Sequence, residues 1–393
     1  MEVIVKKSLL ALPILAVCAT HANAQSSVTL YGLLDEGLMI NTNAKNVVNG
    51  KNVGGRQFQV DSNSGLQGSR WGLKGSEDLG GGLKAIFTLE SGINVSNGAF
   101  GQGNTAFGRQ AFVGISSASY GTVTLGRQYD SVNDYIGSYG FALSYGGSST
   151  EHPGDIDNVN HSSRANNTIK YASPNFRGLQ FGGTVSLGGI AGEISQSSGY
   201  TLGANYNHGG IGLGVAYEYF KNPSAAGAIL NGNVNATTFN SLNSGYLGAR
   251  PANSLQIIAA AGNYQIGPAL IGAVYSNTKY QNIGAFGGAT ATFNDFELNA
   301  SYRFTPALLL AGEYNYTKGN AVRGDIGDQK YNQFSLLLDY LLSKRTDVYM
   351  EGTFQTASGT SSTGAAAVAD IGSLGDSSNN HQLVARVGMR HRF

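Results

Sequence analysis

Residues 295–304 (DFELNASYRF) alternate apolar and polar side chains without a break. Phe296, Leu298, Ala300, Tyr302 and Phe304 share one parity, and Asp295, Glu297, Asn299, Ser301 and Arg303 share the other. Successive side chains of a β-strand point to opposite faces, so this stretch reads as a strand with one apolar and one polar surface. The pattern recurs at 211–219, where Ile211, Leu213, Val215, Tyr217 and Tyr219 oppose Gly212, Gly214, Ala216 and Glu218. At 333–340, Phe334, Leu336, Leu338 and Tyr340 oppose Gln333, Ser335, Leu337 and Asp339. The last segment sets Leu383, Ala385, Val387, Met389, His391 and Phe393 against Gln382, Val384, Arg386, Gly388, Arg390 and Arg392. In 107–115 and 254–264 the alternation drifts, and facing is not assigned there. The best helical candidate, 255–275, is interrupted by Asn263, Gln265 and Pro268, and Ile266-Gly267-Pro268 reads as a tight turn between two strands.

The N-terminus carries Lys6 and Lys7, an apolar stretch from Leu9 to Ala19, and Ala22-Asn23-Ala24. These are the parts of a secretory signal peptide over residues 1–24, leaving one domain over 25–393. Its apolar core is too short to span a bilayer as a helix. Leu15 to Cys18 loosely matches a lipoprotein cleavage box, but Val17 is unusual before such a cysteine and the A-x-A site follows at a better distance. Cys18 is the only cysteine, so the mature chain has no disulfide. Of 25 Lys and Arg and 24 Asp and Glu, cleavage removes Lys6, Lys7 and Glu2 and leaves 23 of each. That neutrality speaks against a nucleic-acid partner. With 57 Gly, 21 Tyr, 17 Phe and only 12% charged residues, the chain is unlike an ordinary secreted domain. A lipid-embedded barrel needs apolar side chains only at every second position, which fits this composition.

Connection lengths alternate as well. Short turns fall at 78–82, 117–120, 175–178, 208–210, 266–268, 305–306 and 342–344. Longer Gly/Asn/Ser-rich stretches lie near 42–63, 96–106, 130–165, 188–198, 221–253, 280–293, 318–330 and 357–380. Seven turns and eight loops predict an all-β fold, a transmembrane barrel of sixteen antiparallel strands with both chain ends on the periplasmic side. At that strand number the wall is too wide for side chains alone to fill, and an aqueous channel is expected. The stretch Asp130–Ala165 fits poorly in a compact soluble domain. In a wide barrel it has room to fold inward and narrow the lumen.

Five segments then carry a resemblance: Ser27–Gly37 (SVTLYGLLDEG), Ser64–Asn94, Phe107–Asp130 (FGRQAFVGISSASYGTVTLGRQYD), Tyr171–Gly183 (YASPNFRGLQFGG) and the closing Gly388–Phe393 (GMRHRF). In this order, over essentially the whole mature chain, they resemble the general trimeric porins of Gram-negative bacteria, of the β-proteobacterial type. The resemblance implies a homotrimer in the cell outer membrane, an inward third loop and passive diffusion of ions and small hydrophilic solutes. It implies lipids and lipopolysaccharide as surroundings and the outer-membrane assembly machinery as a partner that reads the terminal Phe393; the residues themselves lead us to expect no cofactor or metal.

The family's constriction opposes a basic wall to acids on the third loop. With Trp71 and Leu73 toward lipid, Arg70 and Lys74 face the lumen; with Ala85, Phe87 and Leu89 toward lipid, Lys84, Thr88 and Glu90 do. Arg109 and Arg127 of the two GRQ motifs, and Lys170 between Ile169 and Tyr171, complete the basic candidates. Placing a charge on the lipid face at the midplane costs about 2–4 kcal/mol, which favours the lumen. The loop offers Asp130, Asp134, Glu151, Asp155 and Asp157, of which Asp130 and Asp134, near its base, suit anchoring. Arg386, Arg390 and Arg392 add positive charge near the periplasmic end while the third loop is acidic, and the convergence of several wall cations at one level gives a slight lean toward anions. A substrate-specific channel with a saturable site is the alternative, and a barrel enzyme a third reading that lacks a catalytic constellation. Gly101–Ala106 matches a dinucleotide fingerprint without its βαβ unit. Asp155–Asn160 resembles a calcium loop, but Val159 stands at a ligand position and no glycine follows at the sixth. The histidines at 152, 161, 208, 381 and 391 show no metal spacing.

Overall fold

The computed structural model describes residues 26–223, Leu230, Leu242, Ser244–Gly248 and 251–393. The N-terminal 24 residues read as a signal peptide lie outside the described residues. Sixteen antiparallel strands form the wall: β1 (Ser27–Ala44), β2 in two pieces (Gly55–Asp61 and Arg70–Gly80), β3 (Leu83–Gly92), β4 (Gln110–Ser117), β5 (Gly121–Gln128), β6 (Ala165–Ala172), β7 (Leu179–Ser186) and β8 (Gly199–His208). The second half comprises β9 (Ile211–Lys221), β10 (Ala252–Ile266), β11 (Ala269–Ile283), β12 (Ala289–Arg303), β13 (Leu308–Gly319), β14 (Lys330–Leu341), β15 (Thr346–Ser358) and β16 (His381–Arg392). Each pairs with its neighbours in sequence, and β1 pairs with β16 from Leu33↔Arg392 to Asn41↔Val384, which closes the barrel. Closure leaves no open sheet edge, so the backbone groups of the wall pair within it even where lipid surrounds them. Among the described residues no helix is long and apolar enough to cross a membrane.

Facing follows the alternation. On β12, Phe296 and Leu298 are 56% and 58% exposed on the outer surface, while Asp295 and Glu297 are 0% and 1% exposed within. All seven expected turns are present between consecutive strands. Gly209 and Gly210, at φ 59° and 85°, join β8 to β9 in a two-residue hairpin that side-chain-bearing residues adopt only with strain. One expected long loop is short: β11 runs to Ile283 and β12 starts at Ala289, so the 280–293 stretch is mostly wall.

The drift at 254–264 has a physical cause. Leu255, Ile257 and Ala259 point inward and are buried, as are Phe220, Tyr280 and Phe293 of neighbouring strands. They pack against Val132, Ile136, Ile156 and Val159 of the 129–164 loop and against Leu230, Leu242 and Tyr246. One side of the lumen is thus filled by an apolar plug, and a lumen-facing apolar residue there is buried rather than wetted.

The 129–164 loop enters the barrel through the helix α1 (Ser131–Tyr135), which Asp130 caps by accepting the Asn133 N–H at 2.9 Å. Glycines on the inner wall make room for it. A Cβ at Gly203 would lie 2.3 Å from Tyr135 Cδ2, and one at Gly214 would lie 2.4 Å from the Tyr135 carbonyl oxygen. Farther on, the Phe141 N–H donates to Glu297 at 2.9 Å and Gln333 Nε2 donates to the carbonyls of Thr150 and Glu151 at 3.1 and 3.0 Å. The loop tip touches down at the break in β2, where Ser149 Oγ donates to the Ser64 carbonyl at 3.2 Å.

Candidate functional site

Among the described residues, none of β1 to β5 belongs to that plug. Glu90, near the end of β3, is the one acid in the cluster that organises this wall. Its Oε1 accepts from Arg109 Nε at 2.8 Å, and its Oε2 accepts from the Tyr31 hydroxyl at 3.0 Å. Arg70 Nε stands 3.8 Å from the same Oε2. Arg109 also donates to the Tyr129 hydroxyl at 3.0 Å, and Arg164 donates to it at 3.3 Å with its guanidinium 5.1 Å from the ring centroid. His161 stacks on Tyr129 at 5.0 Å. Two guanidiniums thus share one carboxylate and a third joins them through Tyr129, a local excess of positive charge. His161 registers it: burial, then Arg164, Arg109 and Arg70, hold its pKa well below the usual histidine range, so the ring is neutral. A polar space of about 380 Å³ adjoins this wall, lined by Arg109 and by Ser148, Asn160, His161, Ser162 and Arg164 of the loop.

The other basic candidates scatter. Lys74 is exposed, with its ammonium 5.1 Å from the Tyr31 ring centroid. Lys170 is held by Asp134 and donates to the Tyr129 carbonyl at 3.2 Å. Arg127 donates to the Gly108 carbonyl at 2.8 Å and to Asn166 at 2.6 Å, bracing strand ends. Lys84 is exposed beside the β2–β3 turn, six residues from Glu90, about 20 Å along the strand. It belongs to the short-turn rim, because β3 starts only one residue earlier.

The loop acids do not form a row facing these arginines. Asp130 caps α1 and accepts from Asn158. Asp155 accepts the N–H groups of Asn160 and Ser162 at 2.9 and 2.8 Å, and Glu151 accepts from Asn160 Nδ2 at 2.8 Å. Asp157 lies between His152 and Ser276 of β11. All four are buried. The reason is local: a loop folded into a barrel has unpaired backbone donors at each bend, and short carboxylates satisfy them. His152 bridges Asp157 at 2.7 Å and Glu297 at 2.9 Å. Burial opposes its charge, but Asp157 and then Glu297 raise its pKa well above the usual histidine range.

The C-terminal arginines are neutralised too. Arg386 pairs with Asp61 at 2.7 Å and Asp35 at 3.3 Å, while Arg390 and Arg392 pair with Asp347 at 3.0 and 2.9 Å. Sequence reasoning missed Arg164, Tyr129, Tyr31 and the pairing role of Glu90. Arg164 lay within the inspected loop, where only acids were sought; its cue was a lone arginine just before the strand that returns the chain to the wall.

Residues 11–360 match the family described as Gram-negative porin. An outer membrane porin protein of Bordetella pertussis is 31% identical, over 89% of this chain and 94% of its own. The outer membrane porin protein 32 of Delftia acidovorans is 31% identical, over 99% of this chain and 100% of its own. Among solved structures, an anion-selective porin from Comamonas acidovorans shares the fold with a TM-score of 0.71 at 24% identity, covering 94% of this chain and 100% of its own. An outer membrane protein of Vibrio cholerae solved in a trimer form shares it with a TM-score of 0.60 at 14% identity, covering 94% and 99%.

Proposed function

The chain belongs to the Gram-negative porin family, and from that premise we propose that its passage is narrowest between the Arg70–Arg109–Arg164 wall and the inward loop, and that this constriction favours small anions. As a member of that family it is an outer-membrane porin, whose water-filled channel passes ions and small hydrophilic solutes. Its relatives are channels rather than enzymes.

One observation carries the preference: Arg70 and Arg109 share the single carboxylate of Glu90, and the loop adds a third guanidinium, Arg164, joined to Arg109 through the Tyr129 hydroxyl, with no acid of the loop lining the adjoining space among the described residues. Fixed charge of one sign beside a narrow passage concentrates counter-ions, and opposed polar walls orient solutes. Liposomes containing the protein test the channel itself. Swelling in neutral sugars should rise linearly with concentration and fall with sugar size. Saturation at low concentration would instead favour a substrate-specific channel with a binding site.

A homotrimer is proposed on the likeness to the trimer form from Vibrio cholerae. The segment 1–24 is proposed as a cleaved export signal, and outer-membrane lipids and lipopolysaccharide as the surroundings of the exposed apolar band. Phe393 is proposed as the residue read by the assembly machinery. It also completes closure, since its N–H donates to the Gly32 carbonyl at 3.0 Å and its carbonyl accepts the Gly32 N–H at 3.2 Å. Those backbone bonds survive a side-chain change. Phe393→Ala is therefore expected to refold in detergent with normal heat-modifiable migration but to reach the outer membrane poorly in cells. Wild-type levels in outer-membrane fractions would show that the ring is not read.

A further inference from the structure

The spacing of the histidines in sequence offers no metal site, but folding brings three ligand-type groups together from two elements. His152 and Asp157 belong to the inward loop and Asp295 to β12. One ligand atom of each lies within 4.8 Å of the others, and all three residues are buried. His152 is oriented as a ligand would be: Nε2 lies 2.9 Å from Glu297 Oε2, and Nδ1 lies 2.7 Å from Asp157 Oδ2. A carboxylate that fixes one ring nitrogen sets the tautomer and aims the other. Asp157 is braced in turn by the Ser276 hydroxyl at 2.5 Å. Asp295 is held through Oδ1 by Thr317, while its Oδ2 is buried without a hydrogen-bond partner. A buried carboxylate oxygen left unpaired is costly, and a cation relieves that cost.

The charge balance points the same way. Asp157, Asp295 and Glu297 surround a single imidazole, and among the described residues no lysine or arginine forms an ion pair with any of the three. We propose that His152 Nδ1, Asp157 and Asp295 bind one zinc-like divalent transition-metal ion, with Glu297 positioning the imidazole, and that the ion fastens the inward loop to the barrel wall. One imidazole nitrogen with two carboxylate oxygens suits such an ion; calcium takes six to eight oxygens. The ion replaces the proton shared by His152 and Asp157, so it is held less tightly as pH falls. None of these groups belongs to the Arg70–Arg109–Arg164 wall, so failure here would leave the proposed selectivity standing.

The test uses the purified protein in detergent, stripped with a chelator. Because the site is enclosed, zinc is supplied in two ways, to the folded protein and during refolding from denaturant. About one zinc per chain is expected to survive gel filtration in at least the refolded sample, with a raised unfolding temperature. Glu297→Gln keeps the size of the group and should weaken zinc affinity about 10–100-fold. Asp295→Asn should abolish retention, and His152→Gln provides the same comparison if that variant does not fold. No retained zinc in either preparation overturns the proposal. Equal retention by wild type and Asp295→Asn also overturns it, because the ion would then be bound elsewhere.

Discussion

Arg109→Ala is expected to move the reversal potential toward the cation side, and Arg70→Ala to do the same. A unit charge 5 Å from a passing ion is worth about 0.8 kcal/mol in bulk water, or about a fourfold change in local ion concentration. Losing Arg109 also leaves Glu90 with Arg70 at 3.8 Å as its remaining ion-pair partner among the described residues, beside the Tyr31 hydroxyl, so part of its negative charge becomes available to the passage. The two effects add in sign, which makes Arg109 the stronger of the two variants. Both should fade as salt rises, since the screening length is about 8 Å at physiological ionic strength and about 3 Å at 1 M. Lys84→Ala is the control: its distance from Glu90 exceeds the screening length, and the potential should stay at the wild-type value. An unchanged potential in both arginine variants would remove Arg70 and Arg109 from the constriction.

The second large effect is expected at Glu297. Its carboxylate accepts the Phe141 N–H at 2.9 Å, His152 Nε2 at 2.9 Å and the Asn299 amide. Alanine leaves these donors buried without their acceptor, at about 1–3 kcal/mol each. Even 1–2 kcal/mol raises the population of a detached loop about 5–30-fold. Glu297→Ala should therefore give noisier open-channel current and faster protease cleavage within 130–165, while the barrel keeps its strand content by circular dichroism. Wild-type noise and cleavage in a folded variant would show that the loop is held by other contacts. The apolar seat of Val132, Ile136 and Val159 would be the alternative anchor.

How much of this was legible in the sequence depends on what each residue meets. The outward faces of 211–219, 295–304, 333–340 and 383–393 could be read because lipid is a uniform neighbour: every outward position there has the same apolar requirement. The inward faces have no such uniformity. Asp295 and Glu297 meet a folded-in loop, whereas Leu255 and Ile257 meet Leu230 and Leu247, more than seven residues away in sequence, and alternation alone cannot register that plug. The same limit applies to charge. Arg70 was singled out from strand parity and Arg109 from its GRQ motif, but neither says anything of partners, so Glu90 could not be recognised as their shared counter-ion. The loop acids carried the right charge in the right segment, yet the bends of the loop consume Asp130, Asp155 and Glu151 as hydrogen-bond acceptors. Arg164 lies beyond the reach of any period-two pattern because it precedes β6.

The most direct test of a basic constriction is the reversal potential of the wild-type protein in a planar bilayer across a potassium chloride gradient. The account predicts large ohmic conductance steps and a potential of the sign set by faster chloride passage, strongest at low salt. A potential of the opposite sign, from protein that folds and conducts, would contradict it, because the Arg70–Arg109–Arg164 wall could not then be what ions pass.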